Sequence, residues 1–163
     1  MASGSGKVYL YDAGNECTSL TGGWGTVSAY FPTGTLTKQS DHLYLKASPE
    51  GASGCCPSFY TLNKIPFSLY SKLCIEFAMN KADTYPRPIL KVIDTAPLTP
   101  YNYTYDTGFT TMVSYGSYAV VTIARSVAKF DLVSVANNYL YIDSKANSSG
   151  YPNETFVYSI WLE

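Results

Sequence analysis

The sequence predicts an all-β protein made of two antiparallel sheets packed face to face, a β-sandwich of the jelly-roll kind. Short runs in which apolar and polar residues alternate recur along the 163 residues, and a period of two is typical of strands with one buried face. The 16 tyrosines raise the aromatic fraction to 15%, and aromatic side chains suit a pleated surface. Turns rich in glycine and asparagine separate the runs.

Ten strands are predicted, which is more than one open twisted sheet holds comfortably, so we expect two layers. The run at 72–79 shows the pattern most clearly, because its odd-numbered residues from Leu73 to Met79 are apolar and share one face. Residues 123–135 hold no consistent helical face, and a short turn is expected at 65–71. The predicted strands cover residues 8–11, 26–31, 42–47, 72–79, 88–93, 109–114, 118–124, 131–135, 139–143 and 155–162.

Composition excludes two classes of partner. With a formal net charge of -1 and 14% charged residues, the chain lacks the basic field that binds nucleic acid. No stretch approaches the roughly 18 to 20 consecutive apolar residues that cross a bilayer, so we expect no membrane insertion. Residues 1–6 are rich in glycine and serine and are interpreted as a linker or a cloning remnant. A single domain is expected at 7–163.

The four cysteines are Cys17, Cys55, Cys56 and Cys74. They form no CxxC pair, and His42 is the only histidine, so the spacing does not suit a zinc site. We expect free thiols in a reducing compartment. A bridge from Cys17 to Cys55 or Cys56 is the alternative, because the adjacent pair can hardly bridge without strain.

Catalytic signals are weak, so the chain is not predicted to be an enzyme and no cofactor is expected. Any mechanism that uses a histidine must run through His42, which follows Ser40 and Asp41 and is better explained as a turn or edge residue. The 12 acidic residues are scattered, and nothing singles out a pair of the kind that glycosidases use.

A calcium site is the main metal alternative. Residues 12–16 place Asp12, Asn15 and Glu16 on a glycine-containing turn, and Asp143 and Glu163 could join from other strands. The simpler interpretation is a turn in which Asp12 and Asn15 cap their own backbone. The sequence therefore predicts no metal.

The most informative stretch is 94–108, which is too polar and too rich in proline for a core. If it is extended, Tyr101, Tyr103 and Tyr105 share one face. Sugar rings stack on tyrosine, while Asn102 and Asp106 could bind their hydroxyl groups. The same residues would also suit a protein epitope, or the tyrosines could pack back onto the sandwich.

Two further loops are predicted to border this site. One contains Tyr85 and Arg87, and the other contains Trp24, which follows two glycines. Trp24 is as well suited to closing one end of the sandwich as to facing a ligand. The predicted ligand-binding residues are Tyr101, Tyr103, Tyr105, Asn102, Asp106, Tyr85, Arg87 and Trp24.

The two ends of the chain, at 9–24 and 158–163, carry a family resemblance. The opening from Tyr9 through Gly14-Asn15-Glu16-Cys17 to Gly22-Gly23-Trp24, and the closing Ile160-Trp161-Leu162-Glu163, resemble modules of minor structural and tail proteins of phages and prophages of Firmicutes. The resemblance implies a jelly-roll or lectin-like fold, a location in the virion tail or at a cell surface, and adhesion to a host-surface glycan. It also implies synthesis in a reducing cytoplasm, but no specific binding residues.

Three functions follow in order of preference. The first is a non-catalytic module that binds a carbohydrate or a host receptor. The second is a structural module of a virion protein that forms a homo-oligomer through its tyrosines. The third is a glycan-degrading enzyme, which would need two acidic side chains across one cleft.

Overall fold

The computed structural model describes residues 6–27, 35–47, 58–81, 87–93, 110–115, 121–133, 135–143 and 153–163. These residues form twelve strands in two antiparallel sheets, which confirms the predicted all-β, two-sheet architecture. One α-helical turn, α1 (Thr18–Thr21), and one 3-10 turn (Phe67–Leu69) accompany the strands. The 3-10 turn lies within the segment expected to turn at 65–71. Within the described ranges, no helix has the length and apolar character needed to span a membrane.

The larger sheet has seven strands, five of them in the order β10, β7, β12, β1, β2. Of the other two, β5 pairs with β12 and β4 pairs with β5. The first half of β12 pairs with β5 and its second half pairs with β1. The strands are β1 (Val8–Asp12), β2 (Asn15–Glu16), β4 (Thr35–Lys38), β5 (Leu43–Ala47), β7 (Lys72–Lys81), β10 (Val121–Asp131) and β12 (Asn153–Leu162).

The smaller sheet has five strands, in the order β3, β6, β11, β8, β9. Its strands are β3 (Trp24–Val27), β6 (Ser58–Thr61), β8 (Arg87–Ile93), β9 (Thr110–Tyr115) and β11 (Tyr139–Asp143). The turn into β3 uses Gly22 and Gly23, whose φ angles are +67° and +108°. Side chains with a Cβ rarely adopt such angles, which is why glycines occupy this turn.

The core lies between the two sheets and follows the predicted alternation. On β7, Leu73, Ile75, Phe77 and Met79 are all buried, and each contributes roughly 1.5–3 kcal/mol by leaving water. The opposite face of β7 is half-buried except at Cys74, which is fully buried. The larger sheet therefore presents its second face outward, and the functional question concerns that face.

Strand β10 differs from the sequence prediction. One strand of 11 residues, Val121–Asp131, replaces the two strands predicted at 118–124 and 131–135. A register shift between Ile123 and Ser126 breaks the alternation that marks a strand in sequence. After Asp131 the chain leaves the sheet, and the buried Leu132 anchors the turn. Strands β2, β4 and β6 were not predicted because each is only two to four residues long.

Candidate functional site

The outward face of the seven-stranded sheet carries a row of four rings, which we call the ring row: Tyr44, Phe156, His42 and Tyr158. Tyr44 and Phe156 lie opposite each other on β5 and β12, with their ring centroids 5.2 Å apart. The His42 ring lies 5.6 Å from Phe156 and 5.5 Å from Tyr158. All four residues are half-buried, so the row supports itself by ring contacts while part of its surface stays accessible.

A β-bulge in β12 extends the ring row. Val157 pairs with Phe77 and Ser159 pairs with Glu76, so Tyr158 is an extra residue between the two rungs. Val157 faces the core, and the bulge turns both Tyr158 and Ser159 outward. Bulges re-aim side chains in this way and are common beside functional sites.

Polar groups lie at one end of the row, around Glu154. The Tyr44 hydroxyl donates to Glu154 Oε1 at 2.5 Å, and Asn80 Nδ2 donates to Oε2 at 3.3 Å. The hydrogen bond from Tyr44 lowers the pKa of Glu154. The pKa of Tyr44 is raised to about 12, mainly by burial and to a smaller extent by the same hydrogen bond. Glu154 is therefore an ionised hydrogen-bond acceptor beside the rings, and two hydrogen bonds fix its orientation.

At the other end, Arg125 extends across the face. Its Nε donates to Glu76 Oε1 at 2.7 Å, and its guanidinium lies 3.9 Å from the Tyr158 ring centroid. The hydrogen bond to Glu76 raises the pKa of Arg125. Farther along β12, Trp161 is nearly buried between Tyr9, 6.1 Å away, and the Lys7 ammonium, 4.2 Å from the ring.

This arrangement combines flat apolar surfaces with fixed hydrogen-bonding groups. Aromatic faces bind the apolar side of a ring-shaped ligand, and carboxylate and amide groups bind its polar edge. The described geometry suits reversible binding on an open face.

Most of the predicted ligand-binding residues lie outside the described residues. These are Tyr85, Tyr101, Asn102, Tyr103, Tyr105 and Asp106. Arg87 begins β8 and lies opposite Tyr115 on the five-stranded sheet. The structure therefore does not bring Arg87 to the ring row, which belongs to the other sheet.

Trp24, expected at the border of a binding site, is instead a core residue. Only 7% of it is exposed. Its ring stacks on Phe59 with 4.5 Å between centroids and 6° between planes, and Nε1 donates to the Leu10 carbonyl at 2.9 Å. With one face stacked and the N–H satisfied, burial is the stable state for this side chain.

The turn at 12–16 has structural partners for its polar side chains. Asn15 Nδ2 donates to the carbonyls of Asp12 and Ala13, while Asp12 Oδ1 accepts from Ser159 Oγ at 2.8 Å. Glu16 pairs with Lys38. Asn15 thus caps the local backbone as expected, but Asp12 binds a neighbouring strand. In the described part of the chain, no three His, Cys, Asp or Glu side chains form a group that could hold a metal ion.

Two of the four cysteines are described, and both Cys17 and Cys74 are free thiols. Cys17 therefore forms no disulfide with a described residue. Burial raises the pKa of both thiols, which keeps them protonated and poorly reactive. Cys55 and Cys56 lie outside the described residues.

Sequence reasoning missed the ring row, although its signal was present. In 42–47, His42 and Tyr44 alternate with the buried Leu43 and Leu45. In 155–162, aromatic residues likewise fall on the face opposite the apolar one. Rings on the polar face of two predicted strands indicate an aromatic surface once the strands are known to be neighbours.

No known protein family and no curated protein sequence matches the chain. Among solved structures it is similar to a family 29 carbohydrate-binding module from Piromyces equi, with a TM-score of 0.50, 15% identity, and coverage of 96% of this chain and 89% of that one. It is also similar to a family 11 carbohydrate-binding module from Clostridium thermocellum bound to a mixed-linked tetrasaccharide, with a TM-score of 0.51, 10% identity, and coverage of 98% and 96%. Another family 11 structure, from a cellulosomal cellulase of Clostridium thermocellum, has a TM-score of 0.50, 9% identity, and coverage of 98% and 95%. At these identities the likeness concerns the fold, and the chain is a jelly-roll β-sandwich of the kind seen in carbohydrate-binding modules.

Proposed function

We propose that this protein is a non-catalytic carbohydrate-binding module that holds a glycan against the ring row. The observation that carries the proposal is the arrangement of the half-buried rings of Tyr44, Phe156 and Tyr158 beside Glu154 and Asn80 on one open sheet face. Sugars have apolar ring faces and hydroxyl edges, so they need both kinds of surface close together.

The structural comparisons support this proposal. The three solved structures compared above are carbohydrate-binding modules, and one of them holds a mixed-linked tetrasaccharide. The alignments span nearly the whole chain, so the shared fold includes both sheets. The proposed target is a glycan, with a host-surface polysaccharide as the specific candidate.

The state of Glu154 suits a hydrogen-bond acceptor and does not suit the general acid of a glycosidase. A glycosidase needs a carboxylic acid whose pKa is raised so that it can protonate the leaving oxygen. The pKa of Glu154 is shifted the other way by the Tyr44 hydroxyl. Glu154 would serve as a permanent hydrogen-bond acceptor for sugar hydroxyls.

The setting proposed for this activity is a phage tail or a cell surface, with residues 7–163 acting as one domain. Free thiols at Cys17 and Cys74 suit synthesis in a reducing cytoplasm. The tyrosine segment, with Tyr101, Tyr103 and Tyr105, stays a prediction as a second contributor to the site. The oligomeric and hydrolytic alternatives also stay predictions.

A glycan array followed by calorimetric titration tests the proposal. We expect a hit that Phe156→Ala weakens at least tenfold, because losing a stacked ring costs more than about 1.4 kcal/mol. Tyr139→Ala is the matched control, since Tyr139 is also half-buried but lies on the other sheet. If Phe156→Ala folds and binds the glycan as tightly as the natural protein does, the ring row is not the binding site. Absence of any hit, together with a stable oligomer by light scattering, would favour the structural alternative.

A further inference from the structure

One ring of the ring row is covered by a cation. The Arg125 guanidinium lies 3.9 Å from the Tyr158 ring centroid, a distance typical of direct stacking. A sugar cannot stack on the same side of Tyr158 while the guanidinium is there. The rings of the row contact one another. Among the described cations, only Arg125 lies over a ring of the row, and that ring is Tyr158.

Two β-bulges bring these side chains together. Arg125 falls in the register shift of β10, between the rungs formed by Ile123 and Ser126. Tyr158 is the extra residue of the bulge in β12. Strand β7 runs between β10 and β12. Beside the register shift of β10 it carries the small side chain of Ala78, whose partner on β12 is Phe156. The long arginine side chain can therefore cross β7 to reach the ring.

Among the described residues, a single hydrogen bond holds the cover in place. Glu76 on β7 accepts from Arg125 Nε at 2.7 Å, and the Arg125 side chain is 55% exposed. An exposed guanidinium is hydrated, so moving it off the ring leaves no buried charge. Exposed contacts of this kind are weak enough to be exchanged, worth about a two- to fivefold change in an equilibrium.

We propose that Arg125 is a displaceable cover on the glycan site, which a sugar ring must move aside before it stacks on Tyr158. This inference rests on the proposed function and identifies a residue that sets its affinity. Glu76 keeps the guanidinium beside the ring, so the cover returns when the sugar leaves. The free protein thus avoids exposing the full face of Tyr158 to water.

Arg125→Ala tests the cover by titration with the mixed-linked tetrasaccharide, or with the tightest array oligosaccharide where that differs. Since the variant has no cover to displace, we expect binding about two- to fivefold tighter than in the natural protein. Lys129→Ala is the matched control, because Lys129 lies on the same strand and pairs with Glu163, 3.0 Å away, and it should bind as the natural protein does. Weaker binding by Arg125→Ala would mean that Arg125 contacts the sugar, and unchanged binding would mean that it is not displaced. Either result overturns the proposal.

A second measurement needs no glycan. Laser-flash NMR with a flavin dye polarises only those tyrosine rings that the dye can touch, and the Tyr158 signal is assigned by its loss in Tyr158→Phe. We expect the signal to grow in Arg125→Ala and to stay unchanged in Lys129→Ala. An unchanged Tyr158 signal in Arg125→Ala overturns the cover even if the protein binds glycans. A stronger signal supports the cover even if no glycan binds, in which case only the proposed function fails.

Discussion

Tyr11→Phe is expected to stabilise this protein although Tyr11 lies in its core. Tyr11 is fully buried, and its hydroxyl has no hydrogen-bond partner among the described residues. Its ring makes edge contacts with Trp24 at 6.2 Å and with Phe59 at 5.7 Å. Phenylalanine keeps the ring and both edge contacts, and it removes only the hydroxyl.

The magnitude follows from the cost of burying an unpaired hydroxyl, which is about 1–3 kcal/mol. We expect the free energy of unfolding to rise by about 1 kcal/mol at neutral pH, since part of that cost is recovered by relaxation around the group. For a chain of this size the midpoint of thermal unfolding would rise by about 2–4 °C. The matched control is Tyr9→Phe on the same strand, which is half-buried on the outward face and should change stability by less than about 0.5 kcal/mol.

The pH dependence gives an independent check on Tyr11. The pKa of Tyr11 is raised from 10.0 to about 12, mainly by burial and to a smaller extent by the nearby Glu16 carboxylate. A tyrosine whose folded pKa is raised stabilises the protein below its unfolded pKa and loses that contribution as the pH rises towards the folded value. At pH 11 the ionisation of Tyr11 should have lowered the free energy of unfolding of the natural protein by about 1.4 kcal/mol. Tyr11→Phe lacks the ionisable hydroxyl and does not lose this contribution.

Urea unfolding at pH 7 and at pH 11 measures both effects. The stability advantage of Tyr11→Phe should be present at neutral pH and larger at pH 11. A variant less stable than the natural protein by more than about 1 kcal/mol would show that the hydroxyl has a favourable partner, such as a buried water. An advantage that does not grow with pH would show that Tyr11 ionises as readily in the folded chain as in the unfolded one.

Two further predictions concern the outward faces. Glu154→Gln should be less stable than the natural protein by about 1 kcal/mol at pH 7, because the charged acceptor of the Tyr44 hydroxyl is lost. The fold lowers the pKa of Glu154, so its contribution to stability is present above the unfolded pKa and disappears as the pH falls through the folded pKa. The difference between the urea midpoints of the two proteins should therefore disappear in acid, and a difference that stays constant with pH would contradict this role of Glu154. Gly25→Ala should cost about 1–3 kcal/mol, because a Cβ there would lie 2.4 Å from Cζ of the Tyr60 ring and would push that ring off its stack with Tyr141, 5.3 Å away. Circular dichroism in the aromatic region should change along with the melting midpoint. An unperturbed spectrum and an unchanged midpoint would mean that the added methyl group does not displace the ring.

The class of fold could be predicted from the sequence because burial imposes a period of two. Leu73 and its odd-numbered neighbours on β7 are apolar for this reason, and the strand was predicted to within two residues of its end. Short strands such as Thr35–Lys38 have too few residues to show a period. Their pairing with Leu43–Ala47 is decided by neighbours far along the chain, which a local pattern does not contain.

The candidate site was harder to predict than the fold, and Trp24 shows one reason. An aromatic side chain next to glycines suits a binding loop and a buried plug equally well. What decides between them is whether a second ring is available to stack on, and Phe59 provides it from β6, 35 residues later in the chain. Composition locates such residues in the sequence without showing which side of the sheet they occupy.

The bulges explain why the face of the strand beyond the ring row could not be predicted from the sequence. A strict period of two along β12 would place Phe156, Tyr158 and Ile160 on one face, yet Ile160 is fully buried and Trp161 lies on the outward side. Because Tyr158 is an extra residue, odd-numbered residues face the core before it and even-numbered residues face the core after it. The bulge in β10 does the same around Arg125. The two irregularities that obscure the strand pattern are therefore the ones that bring a cation and a phenol ring into contact on the face proposed to bind glycans.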